Sequence, residues 1–144
     1  MANNLNLHVT LGELFTARLM DQATTPQPEL IVPVPLHRER LRERGFNQSL
    51  EIARQVGKQL NLKIDYRSVI RVKPTPTQTD LPLKKRRSNV RNAFKVNRSI
   101  EARHITLLDD VVTTGSTTDE LARCLKQSGV ERVDVWTVTR AGSQ

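Results

Sequence analysis

Hydrophobic residues along this chain fall into two kinds of segment. Short apolar runs are typical of strands in a buried sheet, and apolar residues repeated every three or four positions are typical of amphipathic helices. Strands are predicted at residues 30–35, 66–72, 94–96, 105–109 and 133–138, and helices at residues 11–20, 47–60 and 118–128. This alternation predicts an α/β fold with a central, mostly parallel sheet flanked by helices.

Two internal segments lack such periodicity. Residues 36–45 are basic and are interpreted as a loop, and residues 73–92 contain three prolines and the run Lys84–Arg87. A segment of that length is typical of a lid over a site, although the charged run also fits a solvated surface. We predict a helix and a linker in residues 1–29 and the main domain in residues 30–144.

The composition and the charge of the chain restrict the kinds of protein that it can be. The chain has 144 residues, which fits one domain, and its single cysteine, Cys124, excludes an internal disulfide. We expect a soluble, cytoplasmic protein, because no apolar run approaches the length of a membrane span.

Charge is unevenly distributed along the chain: residues 38–103 hold 18 Lys and Arg against 6 Asp and Glu. This excess predicts an anionic partner, while the few aromatic residues disfavour a base-stacking surface for single strands.

Candidate chemistry is concentrated between Leu107 and Thr117. An apolar strand leads into two adjacent carboxylates, Asp109 and Asp110 (the acidic pair), and then into residues 113–117 (the hydroxyl loop) before a helix. Amides at a helix N-terminus and a nearby glycine, Gly115, favour phosphate binding. Carboxylates beside that loop favour a ligand that also carries hydroxyls or a cation. A second interpretation is helix capping, in which Thr117 pairs with Glu120, or Ser116 with Asp119.

This run resembles the motif that binds 5-phosphoribosyl-1-pyrophosphate (PRPP) in type I phosphoribosyltransferases. The resemblance implies that the acidic pair holds the ribose hydroxyls and stabilises the charge that develops on the ribose. It also implies that the ligand's 5′-phosphate binds at Val111, Val112, Thr113, Thr114, Gly115, Ser116 and Thr117. Mg²⁺ is expected to arrive with PRPP, with Asp109 and Asp110 as its candidate protein ligands.

Further motifs resemble the competence-associated ComF (GntX-like) branch of these enzymes. They are Pro33–Leu36, Arg44–Gln48, Gln78 with Arg87, Asn89–Phe94, and Asp109–Gly115. By position, the resemblance implies a pyrophosphate-binding region that includes Leu36, His37, Arg44, Gly45 and Asn47. Arg44 is its expected cation, and His37 is interpreted as a polar loop residue rather than a catalytic one. The implied lid includes Gln78, Arg87, Asn89 and Arg91.

Two functions follow from the resemblance. The first is an enzyme that transfers phosphoribosyl from PRPP to an unidentified nitrogen acceptor and releases pyrophosphate. The second is a non-catalytic protein that senses PRPP or binds DNA, together with competence machinery, during DNA uptake. The base-binding hood of such enzymes is expected to be reduced here, and a homodimer is an analogy from the family.

Overall fold

The computed structural model describes residues 26–74, 82–112 and 114–140. The helix predicted at residues 11–20 lies outside these ranges. Four parallel strands form the central sheet, in the order β2-β1-β5-β6. Their bounds are β1 Leu30–Pro33, β2 Lys63–Ile64, β5 His104–Val112 and β6 Arg132–Arg140. Strands β3 (Val69–Arg71) and β4 (Phe94–Val96) form a separate antiparallel pair.

Side chains alternate between the two faces of the central sheet and build a core on each. On one face, helix α2 (Gln48–Leu60) buries Ile52 and Val56 against Ile31 and Leu108. Its spacing of apolar residues matches one helical face, so burial of that face holds the helix to the sheet.

The opposite face is covered by helix α4 (Ser116–Gln127) together with the β3–β4 pair. Leu121 and Leu125 of α4 pack in one cluster with Leu107 of β5 and Phe94 of β4. Helix α3 (Leu83–Val90) packs against α4 on this side. The result is a sheet between two layers, which confirms the predicted α/β class with a parallel sheet flanked by helices.

Several predicted elements need correction. Residues 38–44 form helix α1 (Arg38–Arg44) instead of part of a loop, and α3 lies within the segment 73–92 that was interpreted as irregular. Arginine and glutamate are both good helix formers, so a charged segment without an apolar face gives no periodic signal yet still forms a short helix. Strand β1 ends at Pro33, two residues early, and the short edge strand β2 was not predicted.

The boundaries around the candidate site also differ. Strand β5 continues to Val112, three residues beyond the predicted end, because β6 pairs with it as far as the Val112–Arg140 position. Helix α4 begins at Ser116, two residues earlier than predicted. Among the described residues, no helix combines the length and the apolar character that a bilayer crossing requires.

Candidate functional site

A cleft of about 290 Å³ opens at the carboxyl ends of β1 and β5. Open parallel sheets bind ligands at this edge. The cleft gathers residues from the loop after β1, from the end of α1, from the start of α2, from β3 and β5, and from the start of α4. They are Val34, Leu36, Arg44, Asn47, Gln48, Ser49, Arg71, Asp109, Asp110, Val111, Val112, Thr114, Gly115, Ser116, Thr117 and Thr118.

The acidic pair lies where β5 outruns its neighbour β1. The Val34 amide donates to the Leu108 carbonyl at 2.9 Å, after which β1 turns away. Strand β6 still pairs with β5 beyond that point, for example at the Asp109–Thr137 position. At Asp109 and Asp110, one edge of β5 therefore has no pairing with β1 and faces the cleft, while the other edge still pairs with β6.

The start of α2 connects to the acidic pair through Ser49. Asn47 caps the helix by accepting from the Ser49 amide at 3.0 Å, and its own amide nitrogen donates to the Val34 carbonyl at 3.1 Å. The buried Ser49 hydroxyl donates to Asp109 Oδ1 at 3.5 Å and accepts from the Asp110 amide at 3.3 Å. A buried hydroxyl that bonds both residues fixes the acidic pair relative to the helix.

Asp109 is the most perturbed ionisable group of the cleft. Burial, and then the hydrogen bond and negative charge of Asp110, raise the pKa of the Asp109 carboxyl to about 7. The Ser49 hydrogen bond opposes this shift. Two adjacent carboxylates that are shielded from water cannot both ionise easily. Near neutral pH the pair is therefore either partly protonated or stabilised by a cation or by hydroxyl donors.

The hydroxyl loop ends at the start of α4, which forms part of the cleft lining. Gly115 is the N-cap of α4 and has φ +82°, a left-handed conformation in which a side chain would be strained. Neither predicted capping box forms. The Glu120 carboxylate instead accepts from the Asn92 amide and from Arg123 Nε, each at 2.9 Å. The Gly115 N-cap supplies no side-chain hydrogen bond to α4, and the Ser116 amide donates to Thr114 Oγ1 at 3.4 Å.

Two arginines supply positive charge to the cleft. Arg44 is the last residue of α1, and the chain turns away from it at Gly45, whose φ is +81°. Arg71 ends β3, and its guanidinium lies 5.4 Å from the centre of the Phe94 ring. Burial lowers the pKa of the Arg71 guanidinium, but an arginine remains charged at any physiological pH.

The structure brings together only some of the predicted site residues. The acidic pair, every described residue of 111–117, and Leu36, Arg44 and Asn47 line the cleft. His37 and Gly45 flank α1 outside the lining: His37 caps it by accepting from the Glu39 amide at 3.3 Å. Thr113 and Gln78 lie outside the described residues.

The other predicted lid residues lie away from the cleft lining. Arg87 and Asn89 belong to α3, and Arg91 follows its last residue. The turn after α3 is held to α4, since Arg123 donates to Asn92 Oδ1 at 3.1 Å and Glu120 accepts from the Asn92 amide. Their assignment to a lid stays a prediction.

Sequence reasoning missed Arg71 and Ser49. Arg71 is one basic residue among many in the basic segment, and only the placement of the β3–β4 pair brings it to the cleft. Ser49 follows a helix cap, where a serine is ordinary. No pattern in the sequence separates either residue from its neighbours.

The donor set of the cleft matches the needs of Mg²⁺ only in part. Two adjacent carboxylates fit a cation that keeps most ligands from water and phosphate oxygens. Within residues 26–74, 82–112 and 114–140, no group of three or more His, Cys, Asp and Glu forms a cage. The acidic pair alone could therefore hold a magnesium ion that a phosphorylated ligand brings with it, and magnesium binding stays a prediction.

Comparison with curated proteins gives the family. The chain is 39% identical over 138 residues to Competence protein F of Haemophilus influenzae, a match that covers 92% of this chain and 60% of that protein. It is 40% identical over 113 residues to DNA utilization protein YhgH of Escherichia coli K12, covering 78% of this chain and 50% of that protein. The chain belongs to the ComF-like family.

The chain spans between half and about 60% of the length of these relatives. No family model matches it. Among solved structures, TT1426 from Thermus thermophilus aligns with a TM-score of 0.54 over 95% of this chain and 85% of that one, at 14% identity. This likeness concerns the fold alone. The ComF-like family predicted from the sequence is thus confirmed.

Proposed function

We propose that this ComF-like chain binds PRPP in the cleft and transfers its phosphoribosyl group to a nitrogen acceptor, with release of pyrophosphate. The supporting observation is the convergence on one cleft of three features: the acidic pair, the start of α4 at its glycine N-cap, and Arg44 with Arg71. A ligand with a phosphate, vicinal hydroxyls and a diphosphate matches these features in number and charge.

The ligand's orientation follows from where the charges lie. The 5′-phosphate takes the start of α4, where Thr114, Ser116 and Thr117 offer hydroxyl groups beside the first backbone amides of the helix. The ribose hydroxyls donate to the acidic pair, which offsets the burial and the repulsion that raise the pKa of Asp109. The diphosphate, with the largest negative charge, lies toward Arg44.

The reaction needs positioning and electrostatics more than a nucleophile of the protein. The bond between ribose C1 and the pyrophosphate oxygen breaks, and the electron pair leaves with pyrophosphate. The acceptor nitrogen forms the new bond to C1 and then loses its proton. Positive charge develops on the ribose as the bond breaks, and Asp109 and Asp110 stabilise it from the hydroxyl side. Magnesium, when bound with PRPP, neutralises charge on the leaving group.

Calorimetric titration with PRPP and Mg²⁺ tests the binding. We expect binding by the wild type and at least a tenfold loss in Asp110→Asn, because one charged acceptor for a ribose hydroxyl is removed. Glu101→Gln is the matched control, since it also removes one negative charge but from an exposed position before the opposite end of β5. Absence of binding to a folded wild type would refute the proposal. Where binding is found, pyrophosphate release with candidate nitrogen acceptors separates an enzyme from a sensor.

A second candidate function is DNA binding. It is favoured by the exposed cations Lys84, Lys85 and Arg87 on α3 and by the names of the relatives, which refer to competence and DNA utilization. Binding of this kind needs only positive charge facing phosphates and would fall steeply with salt. It uses a different surface from the cleft, so the two functions can be separated by mutation.

A further inference from the structure

We propose that Ser49 is a positioning residue that makes the cleft specific for a ligand with two neighbouring ribose hydroxyls. This inference rests on the proposed function and extends it, because it gives a residue outside the acidic pair a part in ribose recognition. It is carried by the two hydrogen bonds of the buried Ser49 hydroxyl and by the alternation of side chains along β5.

Regular strand geometry would separate the two carboxylates of the acidic pair. Consecutive side chains of a strand point to opposite faces of the sheet, and Asp109 and Asp110 are consecutive residues of β5. Both nevertheless line one cleft, and burial, then the hydrogen bond and charge of the Asp110 side chain, raise the pKa of Asp109. The two carboxylates therefore lie close together, and a third group is needed to hold them so.

The Ser49 hydroxyl bridges the two residues. It donates to Asp109 Oδ1 at 3.5 Å and accepts from the backbone amide of Asp110 at 3.3 Å. The first bond fixes the direction of one carboxylate, and the second fixes the backbone from which the other carboxylate extends. Asn47 caps α2 through the amide of Ser49 and not through its hydroxyl, so capping leaves the hydroxyl available for the acidic pair.

The position of Ser49 is itself set by the core. Ser49 is 4% exposed and lies on the same face of α2 as Ile52 and Ala53, which follow it by three and four residues and are fully buried. Both pack in one cluster with Leu108, the residue directly before the acidic pair. The same apolar contacts therefore fix the hydroxyl and the strand end relative to each other, as specific hydrogen bonding requires.

Two carboxylates directed to one side match two neighbouring hydroxyls of a sugar. A site built to bond a hydroxyl discriminates against the analogue that lacks it, because the buried acceptor is then left without a partner. The analogue 2-deoxyribose 5-phosphate keeps the sugar and the phosphate but lacks the 2-hydroxyl. The ratio of the affinities for ribose 5-phosphate and for this analogue therefore reports how well the acidic pair is arranged.

A competing role for Ser49 is purely structural, in which its hydroxyl stabilises the contact between α2 and β5. The two roles differ in what they change. Loss of a structural contact would lower the melting temperature and weaken both sugar phosphates alike, so the affinity ratio would stay constant. Loss of a positioning contact lowers the ratio itself.

The experiment is calorimetric titration of the full chain with ribose 5-phosphate and with 2-deoxyribose 5-phosphate, at the same Mg²⁺ concentration. We expect the wild type to prefer ribose 5-phosphate by about 10- to 100-fold, the range for one hydrogen bond to a charged group. In Ser49→Ala this ratio should fall by about 2- to 10-fold, the range for one ordinary hydrogen bond. Ser49→Thr keeps a hydroxyl and should retain most of the wild-type ratio.

The matched control is Ser68→Ala. Ser68 is also buried, and its hydroxyl also donates to a carboxylate, Asp65 Oδ2 at 2.5 Å, but both residues lie outside the cleft lining. This variant should keep the wild-type ratio. Ser49→Cys fills nearly the same space with a weak hydrogen-bonding group, so it should resemble Ser49→Ala and show that the lost hydroxyl, and not a cavity, changes the ratio.

An unchanged ratio in Ser49→Ala, or an equal fall in Ser68→Ala, would overturn the assignment while leaving the proposed function intact. A wild type that binds PRPP but shows no preference for ribose 5-phosphate would overturn it as well. Failure of the wild type to bind PRPP would refute the proposed function, and the assignment with it. Circular dichroism melts of each variant distinguish a lost contact from unfolding.

Discussion

Replacing Asp109 by Asn is expected to stabilise the protein, and more so at pH 8 than at pH 5. The Asp109 carboxyl has an ordinary pKa of 3.8 and a folded-state pKa of about 7. The protonated Asp109 carboxyl stabilises the fold fully at a pH below 3.8, its ordinary pKa, and this stabilisation is lost as the pH rises to about 7, its pKa in the folded protein. The reason is that over this interval the folded state retains a proton that the unfolded state releases. Asn keeps the shape of the neutral acid and carries no charge at any pH.

The magnitude follows from the shift. A displacement from 3.8 to about 7, at 1.36 kcal/mol per pH unit, corresponds to about 4 kcal/mol when fully expressed. Between pH 5 and pH 8 only part of that range is crossed, and water at the cleft mouth screens the charges. We therefore expect the stability difference between Asp109→Asn and wild type to grow by about 1–3 kcal/mol over this interval.

Urea denaturation without ligand or divalent cation measures this, since either would stabilise the ionised pair. The free energy of unfolding is determined at pH 5, 6, 7 and 8 for the wild type, Asp109→Asn and Glu101→Gln. Glu101 is exposed, so its variant should run parallel to the wild type. A parallel curve for Asp109→Asn as well would mean that Asp109 titrates normally, and the argument from burial and from Asp110 would be wrong.

Two other predictions concern packing and the basic surface. Gly57→Ala should lower the melting temperature despite the better helix propensity of Ala, because its Cβ would lie 2.9 Å from the Leu62 carbonyl oxygen; such overpacking costs about 1–3 kcal/mol. Gln59→Ala, at an exposed position of the same helix, is the control. An increase in melting temperature for Gly57→Ala would contradict the close contact between position 57 and the Leu62 carbonyl oxygen. Replacing Lys84, Lys85 and Arg87 by Ala should reduce the slope of log affinity for duplex DNA against log salt by up to about 3. The exposed Lys58, Lys63 and Lys126 replaced together give the charge-matched control, and equal slopes for the two triple variants would exclude α3 as the contact.

Sequence patterns predicted the parts of the fold that have an apolar face. Helix α2 matches its prediction closely because its buried residues recur at helical spacing and Asn47 caps its start. Helices α1 and α3 were missed for the opposite reason: they are short and highly charged, so no periodicity marks them. Strand β5 was predicted too short, because a strand that contains two carboxylates looks finished unless its pairing with β6 is known.

The candidate site was predictable where its residues are consecutive. The acidic pair and the hydroxyl loop form one run, so their proximity follows from the chain itself. Arg71 and Ser49 reach the cleft only through tertiary structure: the first through the β3–β4 pair, the second through the packing of α2 on the sheet. His37 was placed in the right segment, but its ring turns to cap α1. The sequence motif therefore identified the segment, but it did not predict which way each side chain points.

Three features that cost stability lie together at the cleft. Elsewhere, buried polar groups such as Thr106 lie within a paired strand, and the core is apolar on both faces of the sheet. At the cleft, two carboxylates are adjacent and shielded, a helix begins without a side-chain cap at its N-cap, and an arginine is half-buried on an aromatic ring. Under the proposed function, a different part of PRPP would stabilise each of them: the ribose hydroxyls the carboxylates, the 5′-phosphate the helix start, and the diphosphate the arginine. Under the proposed function, one ligand accounts for all three features of the cleft.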